Sequence, residues 1–246
     1  MAPSSYFIRT GQSIQDLIFA KYLVKLLVMT WDPFGTLRRV LWIGGGQWAG
    51  KSTVSNILAH RHGLCAYHFD YPNVRGHEDR LAARGLADTR TPDEIWVRTT
   101  PARMAAEVLA GFPTRFEYTL DDLRALVSGP PVLAEGWGLR PELVVPIVAD
   151  PRQMIVMVPT EDWRAHQLVH LDRAGAFTHD VEDPARGQRN RIERDRLITA
   201  DAVDRATALG IRVLEVDGTR DAERVADLVA EHFAPFLPPL PAKIGG

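Results

Sequence analysis

"LWIGGGQWAGKSTVSNILAHRHG", residues 41–63, decides how this chain is read. A short apolar run, Val40–Ile43, leads into three glycines. From Lys51 to Arg61 the apolar residues Val54, Ile57 and Leu58 fall on one face of a helical period. A strand, a tight loop and a helix therefore follow one another. Lys51 stands at the join. The chain has four lysines against 25 arginines, and Lys51 is the only one between Lys25 and Lys243.

Gly45, Gly46, Gln47, Trp48, Ala49, Gly50, Lys51 and Ser52 satisfy the pattern G-x-x-x-x-G-K-[ST]. Glycines let the backbone curl so that successive N–H groups converge on phosphate oxygens. The helix that follows presents its positive N-terminus to the same anion. Lys51 adds a point charge at the β- and γ-phosphates, and the Ser52 hydroxyl is suited to ligate Mg²⁺. The expected nucleotide-binding loop is residues 45–53, ending at Thr53. Trp48 is unusual in such a loop: its side chain must point away from the phosphates, to cover the nucleotide or acceptor pocket or to pack on a neighbouring helix.

The rest of the chain bounds this reading. Its 246 residues make one large domain or a domain with an inserted lid, and a 46% apolar fraction suffices for a sizeable core. A net charge of -2 gives no basic field for generic nucleic-acid binding. Cys65 is the sole cysteine, which rules out an internal disulfide or a cysteine zinc site and fits a reducing cytoplasm. Residues 14–29, "IQDLIFAKYLVKLLVM", are short for a membrane span and interrupted by Lys21 and Lys25. They read as a peripheral helix that docks or pairs, a route to a homodimer, or as a lead-in preceding a natural start at Met29.

Strand and helix signals alternate after this extension (1–39). Strands are expected at 65–69, 131–136, 154–159 and 212–218, and a helix at 221–233. A turn is expected at Tyr71-Pro72-Asn73. Residues 76–127 read as helical pieces broken at Thr91-Pro92 and Gly111-Phe112-Pro113. Alternation of this kind implies a parallel sheet with crossover helices. The proline-rich tail, 234–246, is expected to be poorly ordered.

With the loop in hand, the chain resembles the P-loop small-molecule kinases, the adenylate-kinase-like and nucleoside-kinase-like group. Three further stretches carry the resemblance: "YHFDYP", "PARGQRNRIERDRLITADAV" and "VLEVDGTRDAERVADLV". It spans Val40 to Phe233. It implies a three-layer α/β fold with a five-stranded parallel sheet in the order 2-3-1-4-5. An acceptor-binding region falls at 71–130 and a helical lid at 160–196. It also implies ATP and Mg²⁺ as cofactors, a small-molecule acceptor, and adenine against the loop at Gly218 and Thr219. The plan is similar, too, to that of chloramphenicol phosphotransferase-like enzymes. "AEGWGLRP" stands where adenylate kinases carry D-G-F-P-R, and the lid has no cysteines for zinc.

Individual residues can be given roles. Asp70 follows an apolar strand at the carboxyl edge of the sheet, where ligands of open α/β folds bind. It is a candidate base for an acceptor hydroxyl, and a candidate metal contact. His68, two residues back, reads as a supporting side chain. Glu135 ends the third strand, and the resemblance implies that it is the acid that holds Mg²⁺ through water. Gly136 and Gly138 would admit a ligand to the backbone or simply make a turn. Arg191 and Arg194 are three apart and share a helix face from which they could span the phosphates; Glu193 and Asp195 point elsewhere and could fix the helix by ion pairs, and Arg196 is rotated well away from Arg191. Arg75, His77, Arg80, Trp96, Arg98, Arg103 and Arg115 are candidates for the acceptor pocket. The function expected is transfer of the ATP γ-phosphate to a hydroxyl or phosphate of a small molecule, a nucleoside or nucleotide among them. The alternatives are an antibiotic-modifying phosphotransferase and a regulatory nucleotide-binding module with little turnover.

Overall fold

Long buried runs at the centre of a sheet are the signature of parallel strands covered on both faces. Three of the five strands show it: β1 (Leu41–Gly45), β3 (Val132–Glu135) and β4 (Met154–Pro159) are buried at every position. The edge strands β2 (Cys65–His68) and β5 (Arg212–Val216) are partly exposed. This computed structural model describes residues 31–171, 177 and 179–238. The extension before Trp31, with its expected helix and pairing role, lies outside the described residues, as do residues 239–246.

All four strand pairings are parallel, and the order is β2-β3-β1-β4-β5. With helices on both faces, this is the three-layer P-loop NTPase-like fold. Helices α1 (Lys51–His62) and α5 (Ala222–Phe233) pack on one face, where Leu41, Ile43, Val54, Leu58, Val229 and Phe233 join one apolar cluster. On the other face Trp42 meets Phe116 of α2 (Pro101–Arg124) at 5.9 Å between ring centroids. Helix α4 (Pro184–Ala208) packs against α2 and reaches β1, β4 and β5. The short helix α3 (Glu161–His170) follows β4 and is capped by Thr160, whose side chain accepts from the Trp163 N–H.

Register places the chemistry. Glu135 pairs with Ile43 on one side and His68 on the other, and Gly45 pairs with Met157. The ends of β1, β2 and β3 therefore meet at one edge, with the loop after β1 at its centre. Among the described residues, no helix is long and apolar enough to cross a membrane.

Three local expectations fail for physical reasons. The turn at Tyr71-Pro72-Asn73 is helical: Asp70–Pro72 opens a stretch that continues through π-helical Asn73–His77 into Glu78–Ala83. Pro72 is tolerated because it lies in the first turn, where an N–H has no helical partner. The break at Gly111-Phe112-Pro113 is absent, and α2 runs through Pro113. Phe112, Phe116, Leu120 and Leu123 are all buried on it, and their packing outweighs the cost of about 3 kcal/mol of an interior proline. The start of the tail is also packed: Leu237 N–H donates to the Phe233 carbonyl at 3.1 Å, and Phe236 and Leu237 lie against the apolar cluster.

Candidate active site

The loop after β1 is pinned on both sides. Gly45 has φ +110°, and a Cβ there would lie 2.2 Å from the Met157 carbonyl oxygen. The Gly46 N–H donates to that same carbonyl at 2.9 Å. A Cβ on Gly46 would meet Thr199 of α4 at 2.8 Å. Trp48, at φ +66°, is the one non-glycine residue with positive φ among the described residues. Such a conformation costs about 1–2 kcal/mol, so the loop holds its shape against a local preference. The Arg191 guanidinium lies 5.9 Å from the centre of the Trp48 ring.

Lys51 is buried, and its Nζ donates to the Gly46 carbonyl at 2.6 Å. Burial lowers its pKa, while the charges of Glu135, Asp70 and Asp195 push it back up. Lys51 is thus a buried cation at the first turn of α1, under the charge of three carboxylates.

Residues 47–53 line a cleft of about 590 Å³. Asp70 and Glu135 line it as well. Glu135 is buried, and its Oε1 accepts from Ser52 Oγ at 2.9 Å and lies 2.7 Å from His68 Nδ1. His68 Nε2 faces Asn56 Oδ1 at 3.1 Å, so His68 links Glu135 to α1. Burial raises the Asp70 pKa; Lys51 opposes this, the charge of Glu135 adds to it, and a hydrogen bond from Trp137 lowers it. Among the described residues, no group of three or more His, Cys, Asp or Glu is arranged to hold a metal alone. Ser52, Glu135 and Asp70 nevertheless form a set of hard oxygen donors. Mg²⁺ takes one or two carboxylates and completes its shell with phosphate oxygens and water, so these residues fit it.

The arginines of α4 divide. Arg194 lies between the rings of Trp96 and Trp137, at 4.8 and 5.5 Å, and donates twice to Asp195 Oδ1, at 2.9 and 2.6 Å. Asp195 thus makes an ion pair within its own helix, as Glu193 does with Arg196, and it is buried. Burial pushes its carboxyl pKa up and Arg194 opposes the shift. Arg191 reaches Trp48 over the loop. Arg196 is exposed and paired with Glu161 at 2.8 Å. Pro184 and Gly187 form the first turn of α4, and the Asp183 side chain caps it by accepting from the Arg186 N–H at 2.9 Å. Residues 172–176 and 178 of the expected lid lie outside the described residues.

Gly218 and Thr219 stand beside the cleft, not in its lining. Gly218 packs so closely on Trp163 that a Cβ would lie 2.2 Å from the ring. Thr219 donates its N–H and hydroxyl to Asp217, at 2.9 and 2.7 Å. Val216, Arg220 and Trp163 line the cleft at that end instead. At the other end Asn73, Val74 and Trp137 join Asp70. None of these was singled out from sequence, although Trp137 stands two residues past Glu135 and Trp163 follows the end of β4 by four. Gly136 and Gly138 lie in a turn, in which the Leu139 N–H donates to the Gly136 carbonyl at 3.3 Å, and both face Phe69, whose ring or Cβ would meet an added Cβ at 2.3–2.4 Å.

No protein-family model matches the chain, and no curated protein sequence is similar to it. Among solved structures it is similar to shikimate kinase from Aquifex aeolicus vf5, with 16% identity over 80% of this chain and 96% of that one, at a TM-score of 0.37. It is also similar to NadR protein in complex with NR, with 12% identity over 94% of this chain and 63% of that one, again at a TM-score of 0.37. The chain thus spans just under two thirds of the second structure. Likenesses this remote bear on neither activity nor substrate.

Proposed function

We propose that the chain is a Mg²⁺-dependent kinase that transfers the γ-phosphate of ATP to a small molecule. One observation carries this reading. The phosphate loop, the Ser52–Glu135 hydrogen bond and Asp70 share one cleft that extends toward both edges of the sheet, room for a nucleotide on one side and an acceptor on the other.

In this reading the loop N–H groups and Lys51 bind the β- and γ-phosphates. Ser52 and Glu135 would hold Mg²⁺, whose charge offsets that of the phosphates. Asp70 takes the proton of the acceptor hydroxyl as its oxygen bonds to the γ-phosphorus. The bond from that phosphorus to the β,γ-bridging oxygen breaks, and ADP leaves. Arg191, poised over Trp48, adds positive charge near the loop. Trp163 and Val216 offer a flat apolar wall to the base. Positioning and electrostatics supply most of the rate.

The test is ADP release from Mg-ATP with pooled nucleosides, nucleotides, sugars and antibiotics. Release that depends on one pool supports the kinase. Tight ATP binding without release in any pool would make the chain a nucleotide-binding module instead.

A further inference from the structure

We propose that the acceptor is an uncharged or cationic hydroxyl compound, not one bearing a phosphate or carboxylate; this rests on the kinase reading above. The acceptor end of the cleft is lined by Asp70, Asn73, Val74, Glu135 and Trp137. This end has two carboxylates and no cation in its lining among the described residues. Among the described residues, the cations lining the cleft are Lys51 and Arg220. Lys51 belongs to the phosphate loop. Arg220 follows β5, and Asp70 follows β2, at opposite edges of the sheet.

Of the arginines named as candidates for the acceptor pocket, none lines the cleft, and four are paired with carboxylates. Arg80 pairs with Asp122 at 2.7 Å, Arg115 with Glu78 at 2.6 Å, Arg103 with Glu107 at 2.8 Å and Arg98 with Glu182 at 3.2 Å. Arg75 is exposed and outside the cleft lining. Asp122 also accepts from Tyr67 at 2.9 Å and lies 2.9 Å from His77 Nε2, so withdrawing Arg80 would uncouple a three-partner network. Two arginines touch this lining, Arg115 at Asn73 and Arg194 at Trp137, but they are paired with Glu78 and Asp195, so an anion beside Asp70 and Glu135 would meet like charge. A cation held by Ser52 and Glu135 is shared with the nucleotide phosphates, which already carry excess negative charge.

Asn73 adds the recognition element. Arg115 NH1 lies 2.8 Å from its side-chain oxygen. Arginine only donates, so this contact fixes which end of the amide faces it. Asn73 is left with amide N–H groups to offer. Asp70 and Asn73 are three apart in helical backbone and so share a face. One accepts and the other donates. The pair suits a hydroxyl that gives its proton to Asp70 next to an oxygen that accepts from Asn73. Val74 and Trp137 add apolar surface, and the Trp137 ring is held edge-on by Phe112 at 5.1 Å.

The test uses the full chain loaded with Mg²⁺ and a non-hydrolysable ATP analogue. Two pools are compared by melting temperature and then calorimetry: neutral and cationic hydroxyl compounds (nucleosides, sugars, aminoglycosides) and their phosphate monoesters. Stabilisation is expected from the first pool, with its binding member at least about tenfold tighter than the matched monoester. Equal or stronger binding of the monoesters, or a shift from neither pool, would overturn the inference while analogue binding leaves the phosphate loop standing. Failure of the analogue itself to bind would remove the kinase reading and this inference with it. Asn73→Asp keeps an oxygen for Arg115 and removes the donor. It is expected to weaken an uncharged member by about tenfold; unchanged affinity would overturn the role given to Asn73.

Discussion

Ser52 Oγ donates to Glu135 Oε1 at 2.9 Å, tying the first turn of α1 to the end of β3 across 83 positions of sequence. Neither residue reaches the other through local structure. The parallel pairing of β1 with β3 brings them together, because Glu135 stands beside Ile43, two residues before the loop. In the proposed reading this hydroxyl and this carboxylate would hold Mg²⁺, a cation that favours such oxygen donors.

Glu135→Gln is therefore informative. The amide oxygen still accepts from Ser52, but the charge is gone. Mg²⁺-dependent turnover is expected to fall about 100-fold or more, with the melting temperature close to that of the parent. Turnover titrated against Mg²⁺ is the measurement. An unchanged Mg²⁺ requirement and rate would remove Glu135 from the metal's surroundings.

Loop geometry gives a stability prediction with its own control. Gly45→Ala places a methyl 2.2 Å from backbone oxygen at φ +110°, where nothing can yield. A loss of at least about 2 kcal/mol, or about 4–8 °C in Tm, is expected. Gly46→Ala clashes instead with the Thr199 side chain at 2.8 Å. Adding Thr199→Ala should recover much of that loss and none of the loss at Gly45. Equal rescue of both would contradict the separation.

Arg194 and Arg196 should differ in kind. Arg194→Ala leaves Asp195 buried without its donor and empties the space between Trp96 and Trp137. Urea unfolding is expected to show a loss of about 3–5 kcal/mol. Arg196→Ala removes an exposed pair with Glu161 and should stay within about 0.5 kcal/mol. Similar small losses at both would mean that the Trp96–Arg194–Trp137 stack holds nothing together.

Fluorescence can separate the two ends of the cleft, since Trp48, Trp137 and Trp163 all line it. Mg²⁺-tripolyphosphate should perturb Trp48, and Mg-ATP should perturb Trp163 in addition. Trp163→Phe is expected to make the ATP response resemble the tripolyphosphate response. A full ATP response in Trp163→Phe would place the base elsewhere.

Much of the fold was legible because its signals are local. The run before Lys51, the strand at 154–159 and the helix after Asp221 carry their own period and punctuation. The interior of α2 was not: Pro113 breaks helices by local rules, and only the burial of Phe112, Phe116 and Leu120 decides otherwise. The candidate site divides the same way. Lys51, Ser52, Asp70 and Glu135 stand at strand ends or in a motif, and they meet in one cleft. Trp163, Trp137 and Asn73 enter it only because the sheet order places the ends of β4, β3 and β2 at one edge. That Asp195 could fix its helix by an ion pair was legible; that its partner is the adjacent Arg194 was not, since neighbours on a helix do not share a face. The pairing arises from a guanidinium long enough to fold back between two tryptophans.

The central claim is that the loop at Lys51 binds the phosphates of ATP. Calorimetric titration of Mg-ATP into the full chain and into Lys51→Ala tests it most directly, with melting curves to establish that both are folded. The wild type is expected to bind, and a folded Lys51→Ala to bind at least about tenfold more weakly, consistent with the loss of a charge-assisted contact. Equal affinity in the two folded proteins would contradict it.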